Sequence, residues 1–252
     1  MRKISLRAGL AAVATATLLL AGCGSSDSAK PTAAATSQAP TSQAPTDNGI
    51  AALSADEILA KSKAALKKAG SFQMKGNAIV EKDTMAVDFR VSGADFVGSM
   101  TMGKDAEVKV MLVGGKQYMK PSEGFWKMLG LGEMAQTMAK TAGDKWLLVP
   151  AGDDSIGGIF DAADPDVLLK STGTIGKGAT TQIGAQPVIA LTDTGEKEAQ
   201  LFVATTGEPY PIKQGTATGD GIIFSDFGAT FDTLTAPTAE QILDLTKVTG
   251  QQ

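Results

Sequence analysis

The sequence predicts an α+β protein in which one long antiparallel sheet is accompanied by a few helices. Three observations carry this. Short segments of alternating apolar and polar residues follow one another from Phe72 to Lys120 and again from Gly176 to Phe231, punctuated by glycine-bearing turns. Between them, from Phe125 to Ala142, apolar residues recur at helical spacing. A capped helix with an apolar stripe opens the whole series.

The chain begins with a different kind of signal. Arg2, Lys3 and Arg7 precede an apolar run from Ala8 to Leu20, and Ala21 and Gly22 are small. This is the pattern of a secretory signal peptide, too short for a permanent transmembrane helix. The sequence Leu20-Ala21-Gly22-Cys23 holds the only cysteine of the chain and looks like a bacterial lipobox. In such sequences the cysteine sulfur receives a diacylglycerol and the chain is cut before it. Two or three acyl chains hold a protein stably on a bilayer, where one gives marginal binding. Cys23 is therefore expected to be a lipid attachment site carrying palmitate-like chains, with residues 1–22 removed.

Gly24 to Gly49 is low in complexity, rich in Ala, Thr, Ser, Gln and Pro, and contains the near-repeat TSQAPTSQAPT. Nothing in it forms a core, so 23–49 reads as lipidated cysteine plus disordered tether. As a flexible coil it reaches about 30 Å, and fully extended about 80 Å. Residues 50–252 are enough for one domain with a sizeable core.

Composition removes several functions. The formal charge is −4, and −7 once the three basic residues of the signal are lost, with lysines scattered rather than clustered. No nucleic-acid partner is expected of such a surface. The chain has no histidine, which excludes Ser-His-Asp and Cys-His chemistry and the commonest zinc ligand. GTIGKGATT lacks Walker spacing, and Asp161, Asp164 and Asp166 lack calcium-loop spacing. No carboxylate pair stands out as glycosidase machinery. No enzyme, cofactor or metal is expected.

Within the domain, Ser54 and Glu57 form a capping box before a stripe of Ile58, Leu59, Ala65, Leu66 and Ala69, and Gly70 stops the helix. Strands follow at Phe72–Val80, TMAVDFRV, FVGSMTM and EVKVMLV, with Gly114-Gly115 turning into KQYMK. In the helical stretch Phe125–Ala142, Gly130 and Gly132 weaken the first turn. KWLLVP is a short strand. Ile156, Ile159 and Phe160 mark a second helical region, and Asp164-Pro165 starts a third over DVLLK. GKGATTQI, QPVIALTD and AQLFVAT are strands, TTGEPYPIK supplies a turn and an edge strand, and GIIFSDFGATF follows. Thr238 and Gln241 are expected to cap a short C-terminal helix containing Ile242 and Leu243.

Several stretches together give the chain a family likeness: ADEILAKSKAALKKAGSFQMKG, VGGKQYMK followed by FWKM, DKWLLV, IGAQPVIALTDTG with AQLFVATTGEPYPIK, and FSDFGATFDTLTAPTAEQI. In their order and spacing they resemble the actinobacterial lipoproteins of the LppX/LprG type, over most of residues 52–246. The resemblance implies a fold similar to the lipoprotein carrier LolA. There, a bent antiparallel sheet forms an incomplete β-barrel, helices lie across its concave face, and an apolar cavity between them takes acyl chains. It implies no catalytic residue and no cofactor.

The residues offer a cavity of their own. Apart from Met1, all methionines lie between Met74 and Met138, and methionine suits apolar surfaces that accept differing partners. Alternation puts Met85, Val87 and Phe89 on one face, Met100 and Met102 on another strand's face, and Val108, Val110 and Leu112 on a third. Leu131, Met134 and Met138 form the helical stripe expected to cover them. Alternation partitions these side chains without saying which set faces inward. The expected function is that of an exported monomer anchored to the outer face of the bacterial plasma membrane. It would carry or present lipids in the cell envelope, with the membrane, an acyl-chain ligand and an envelope transporter as partners. The alternative is a surface interaction or signalling lipoprotein whose core is filled.

Overall fold

The computed structural model describes residues 46–80, 83–150, 157–161, 164–232 and 234–244. The signal segment, Cys23, most of the expected tether and Ile156 lie outside the described residues.

Helix α1 (Ala55–Ala69) begins at the capping box read from the sequence, with Ser54 and Glu57 each closing the other's backbone N–H. Asp56 and Glu57 in its first turn and Lys67 and Lys68 in its last complement the helix dipole. Gly70 ends it in the left-handed conformation. The chain then runs as a meander: β1 (Ser71–Val80), β2 (Asp83–Ser92), β3 (Asp95–Met102), β4 (Ala106–Val113), β5 (Lys116–Pro121) and β6 (Trp146–Leu148). Two helices, α2 (Glu123–Met128) and α3 (Met134–Ala142), are inserted between β5 and β6. Two shorter ones, α4 (Gly157–Phe160) and α5 (Pro165–Leu168), stand between β6 and the second meander. That meander comprises β7 (Ile175–Ile183), β8 (Gln186–Asp193), β9 (Glu196–Ala204), β10 (Pro211–Gly215) and β11 (Gly221–Ser225).

Strand β11 pairs with β1, joining both meanders into one twelve-stranded sheet of order β12-β6-β5-β4-β3-β2-β1-β11-β10-β9-β8-β7, where β12 is Ile242–Asp244. The edges β12 and β7 do not pair with one another, so the sheet is open. All pairings are antiparallel except β12 with β6. A twisted sheet of this width curls, and the five helices cover one of its faces. The main buried cluster joins Leu66 of α1, Phe125 and Trp126 of α2, Ala135 and Ala142 of α3, and Phe160 of α4 to Val87, Phe89, Val91, Phe96, Val108 and Val110 of the sheet.

Four elements differ from the sequence reading. The helical stretch from Phe125 is broken between Met128 and Met134, where Gly130 (φ 84°) and Gly132 (φ 52°) take left-handed conformations that side chains resist. Strand β10 is interior, not an edge. Pro209 stays in the preceding turn, and Pro211 is the strand's first residue, at a register shift before Lys213, where a missing N–H is tolerated. The capping box at Thr238 and Gln241 forms, but it closes only a 3-10 turn (Ala239–Gln241). Ile242 and Leu243 then pair with Trp146 and Leu147 as a strand. Lastly, Thr46 to Gly49 belong to the fold. Asn48 donates to the carbonyls of Ala204 and Gly207, and Thr46 accepts from Gly207 N–H.

Candidate functional site

Strand register brings the expected lining residues of the sheet onto one face. Four rows cross it from β4 to β1: Leu112, Phe96, Val91 and Phe72; Val110, Gly98, Phe89 and Met74; Val108, Met100, Val87 and Gly76; Ala106, Met102, Met85 and Ala78. This is the face that the helices cover. Burial is graded along it. Phe72, Val91, Phe96 and Val110 are almost fully buried, with Phe89 packed edge-on against Phe96 and Phe96 against Phe160 of α4. Val87 and Val108 are buried as well, whereas Met85, Met100, Met102 and Leu112 are half-buried.

The covering helices are met only in part as expected. Leu131, in the break before α3, and Met138 pack against the cluster. Met134 does not; it is 63% exposed. The face that α3 turns inward carries Ala135, Met138, Ala139 and Ala142, and Met134, the first residue of the helix, stands at the edge of that face. Met111 belongs to the opposite face of the sheet, opposite Val97 and Tyr118.

The other half of the same face holds a cleft that sequence reasoning missed. It lies among Leu59 of α1, Leu168 of α5 with the adjoining Leu169, and Ile175, Leu191 and Leu201 of the second meander, with Gln214 and Asp193 at its polar rim. Its volume is about 70 Å³. Small-molecule pockets are commonly roughly 300–1,000 Å³. The signal for these residues was obscured because Val188, Ile189, Ala190 and Leu191 are all buried, so both parities of β8 read as apolar. The Asp193 carboxylate is held below the ordinary range by the backbone N–H groups of Gly195 and Thr172, with the Ser171 hydroxyl adding to them. It fastens the chain entering β7 to the β8–β9 turn.

Two polar atoms of the covering layer are buried without a partner among the described residues, Ser62 Oγ on α1 and Trp126 Nε1 on α2. The outermost helices are lightly held. An exposed ion pair, Lys67 to Asp166, ties α5 to α1, and solvent screening leaves exposed pairs with little effect on stability. Among the described residues no helix is long and apolar enough to cross a membrane, and no cluster of three or more carboxylate, imidazole or thiol side chains is placed to hold a metal.

No protein-family model matches the sequence, and no curated protein matches it. Solved structures do. The chain is similar to LprF from Mycobacterium bovis, with a TM-score of 0.45 and 13% identity, covering 73% of this chain and 97% of that one. An uncharacterized conserved protein from Thermus thermophilus gives a TM-score of 0.40 and 10% identity, covering 75% and 98%. For lipoprotein LppX from Mycobacterium tuberculosis the values are 0.40 and 13%, covering 68% and 93%.

Proposed function

We propose that this chain is an exported lipoprotein, anchored through Cys23, that accepts lipid acyl chains between the inner face of its sheet and the helices covering it. The observation that carries the reading is the graded face. It is packed with aromatic side chains at one end and passes to half-buried methionines at the other, under short helices with few polar ties. Exposing an acyl chain to water costs about 0.8 kcal/mol per methylene, so moving one across an aqueous space needs an apolar container. Methionine side chains adapt to a guest, and outward movement of α3 to α5 enlarges the space. The unpartnered Ser62 Oγ and Trp126 Nε1 favour a guest that carries oxygen atoms, since each buried unsatisfied group costs about 1–3 kcal/mol.

A second reading, a protein-interaction lipoprotein with a filled core, is favoured by the cleft volume of about 70 Å³. One measurement separates the two and tests the anchor as well. Protein purified from its own host is weighed by mass spectrometry under native and then denaturing conditions. The expected result is a lipid mass lost on denaturation and acyl mass that persists on the Cys23 peptide. Cys23→Ala should abolish the persistent mass. Val87→Trp, which places an indole beside Gly76 and Met100, should reduce the labile one. A protein that never carries labile lipid, and that Val87→Trp merely destabilises by overpacking, leaves the interaction module standing.

A further inference from the structure

The strand directions divide the molecule into two ends. The turns β2–β3, β4–β5 and β9–β10 lie at one, together with Thr46 and Asn48, which bond to Thr205 and Gly207. The turn β3–β4, the end of β1 at Val80 and the start of α2 lie at the other. At this second end the surface is unusually apolar. Six large apolar side chains are strongly exposed among the described residues, and three of them, Met128, Leu129 and Met134, fall within the break between α2 and α3 or at its borders. A fourth, Ile79, is 58% exposed near the end of β1. Met128 shares an open groove with Met102 and Asp83, and Glu133 lines another with Glu123 and Lys127, which keeps the start of α3 beside α2.

We infer that this tip is a membrane-contacting surface, with Met128, Leu129 and Met134 entering the interfacial layer of the bilayer that holds the Cys23 lipid. The inference rests on the anchored, lipid-accepting reading. A bilayer is the occupant argued for because of where the chain outside the described residues ends. Thr46, which follows the stretch from Gly24 to Pro45, lies at the opposite end of the sheet. The ten-residue β1 is roughly 33 Å long. For the tether expected from composition, about 22 residues give a root-mean-square reach of about 26 Å as a coil and about 68 Å fully extended. It therefore permits the tip to turn back onto the anchoring membrane. The tip's charges are mainly acidic (Asp83, Asp105, Glu123 and Glu133 beside Lys104 and Lys127), so the contact is apolar in origin and salt, which screens repulsion from anionic lipid, does not weaken it. The half-buried pair Met85 and Met102 ends the inner face at the same side, which places the openable part of that face against the membrane.

The test uses the lipidated protein in vesicles of phosphatidylethanolamine and phosphatidylglycerol. Acylation leaves no free thiol, so Met128→Cys, Met134→Cys and the opposite-end control Lys116→Cys each accept one environment-sensitive fluorophore. Dye reacting with the parent protein would show that Cys23 is free and would overturn the anchor. Labile lipid in the same samples, read by native mass spectrometry, reports separately on acyl-chain acceptance. The expected result is a blue shift at 128 and 134, with quenching by nitroxide-labelled lipid that added salt does not weaken, and neither effect at 116. Combining Met128→Cys with Leu129→Ser and Met134→Ser should weaken quenching. Equal quenching at all three positions, or none, overturns the inference. A blue shift with energy transfer between copies and no nitroxide quenching assigns the patch to protein association and overturns it too.

Discussion

Gly98 stands in the middle of β3, opposite Phe89 and on the helix-covered face. A Cβ built there meets the Asp88 carbonyl oxygen at 2.1 Å and the Phe89 ring at 2.4 Å. The missing side chain is what lets the Phe89 ring lie over β3 and reach Phe96 edge-on, with ring centroids 5.6 Å apart. Gly98→Ala should therefore cost about 1–3 kcal/mol through strain in a well-packed core. For a domain of this size that lowers Tm by roughly 2–4 °C per kcal/mol. Gly158→Ala in α4 is the control, because nothing lies within 4 Å of its Cβ position; Tm should hold or rise slightly. Equal melting of both variants would remove Gly98 from any role in shaping the face. The residue scale is also where the sequence was least legible. Alternation assigned Phe89 to a face, but no pattern marks a glycine as the space beneath a ring.

At the scale of elements, local chemistry was legible wherever a cap or a turn decided the outcome. The Ser54–Glu57 box, the Gly70 stop, the Gly114-Gly115 hairpin and the Asp164-Pro165 start are all present as read. What tertiary pairing decides was not legible. Ile242 and Leu243 follow an intact capping box yet form a strand, since the exposed edge of β6 offers partners that a single turn of helix cannot match. Proline counting likewise misplaced β10, because a proline at a strand's first residue removes no ladder bond. The Asp193 turn gives this scale its prediction. Its carboxylate sits below the ordinary aspartate range, so the folded state holds the charged form more strongly than the unfolded chain does. That contribution is complete above the ordinary aspartate pKa and disappears as pH falls through the lowered value. In urea, Asp193→Asn should unfold earlier than the parent at neutral pH, and the gap should narrow near pH 3. A gap of equal size at both would mean that the hydrogen bonds of Asp193 do not depend on its charge.

Across the whole molecule, one sheet carries two kinds of cover. Helix α1, with fifteen residues and caps at both ends, is built to persist. Helices α4 and α5 are four residues each and α3 is nine, so their stability comes from contact with the sheet rather than from themselves. The wide sheet and the helices on one face were legible from the change of apolar period, whereas this inequality of cover was not, since helix length and burial depend on what each helix meets. It has a measurable consequence. Local opening draws on the least stable units first, so amides of α3 to α5 should exchange hydrogen roughly 100-fold faster than those of β2 and β3, a difference of about 2.7 kcal/mol. Lipid bound beneath these helices would add their contacts to its own and slow their exchange by mass action, leaving β2 and β3 almost unchanged. Exchange of delipidated protein, before and after addition of phospholipid, reads both effects. Protection in α3 to α5 equal to that of β2 and β3, and indifferent to lipid, would mean that cover and sheet form one rigid core; the interaction module would then be the function to pursue.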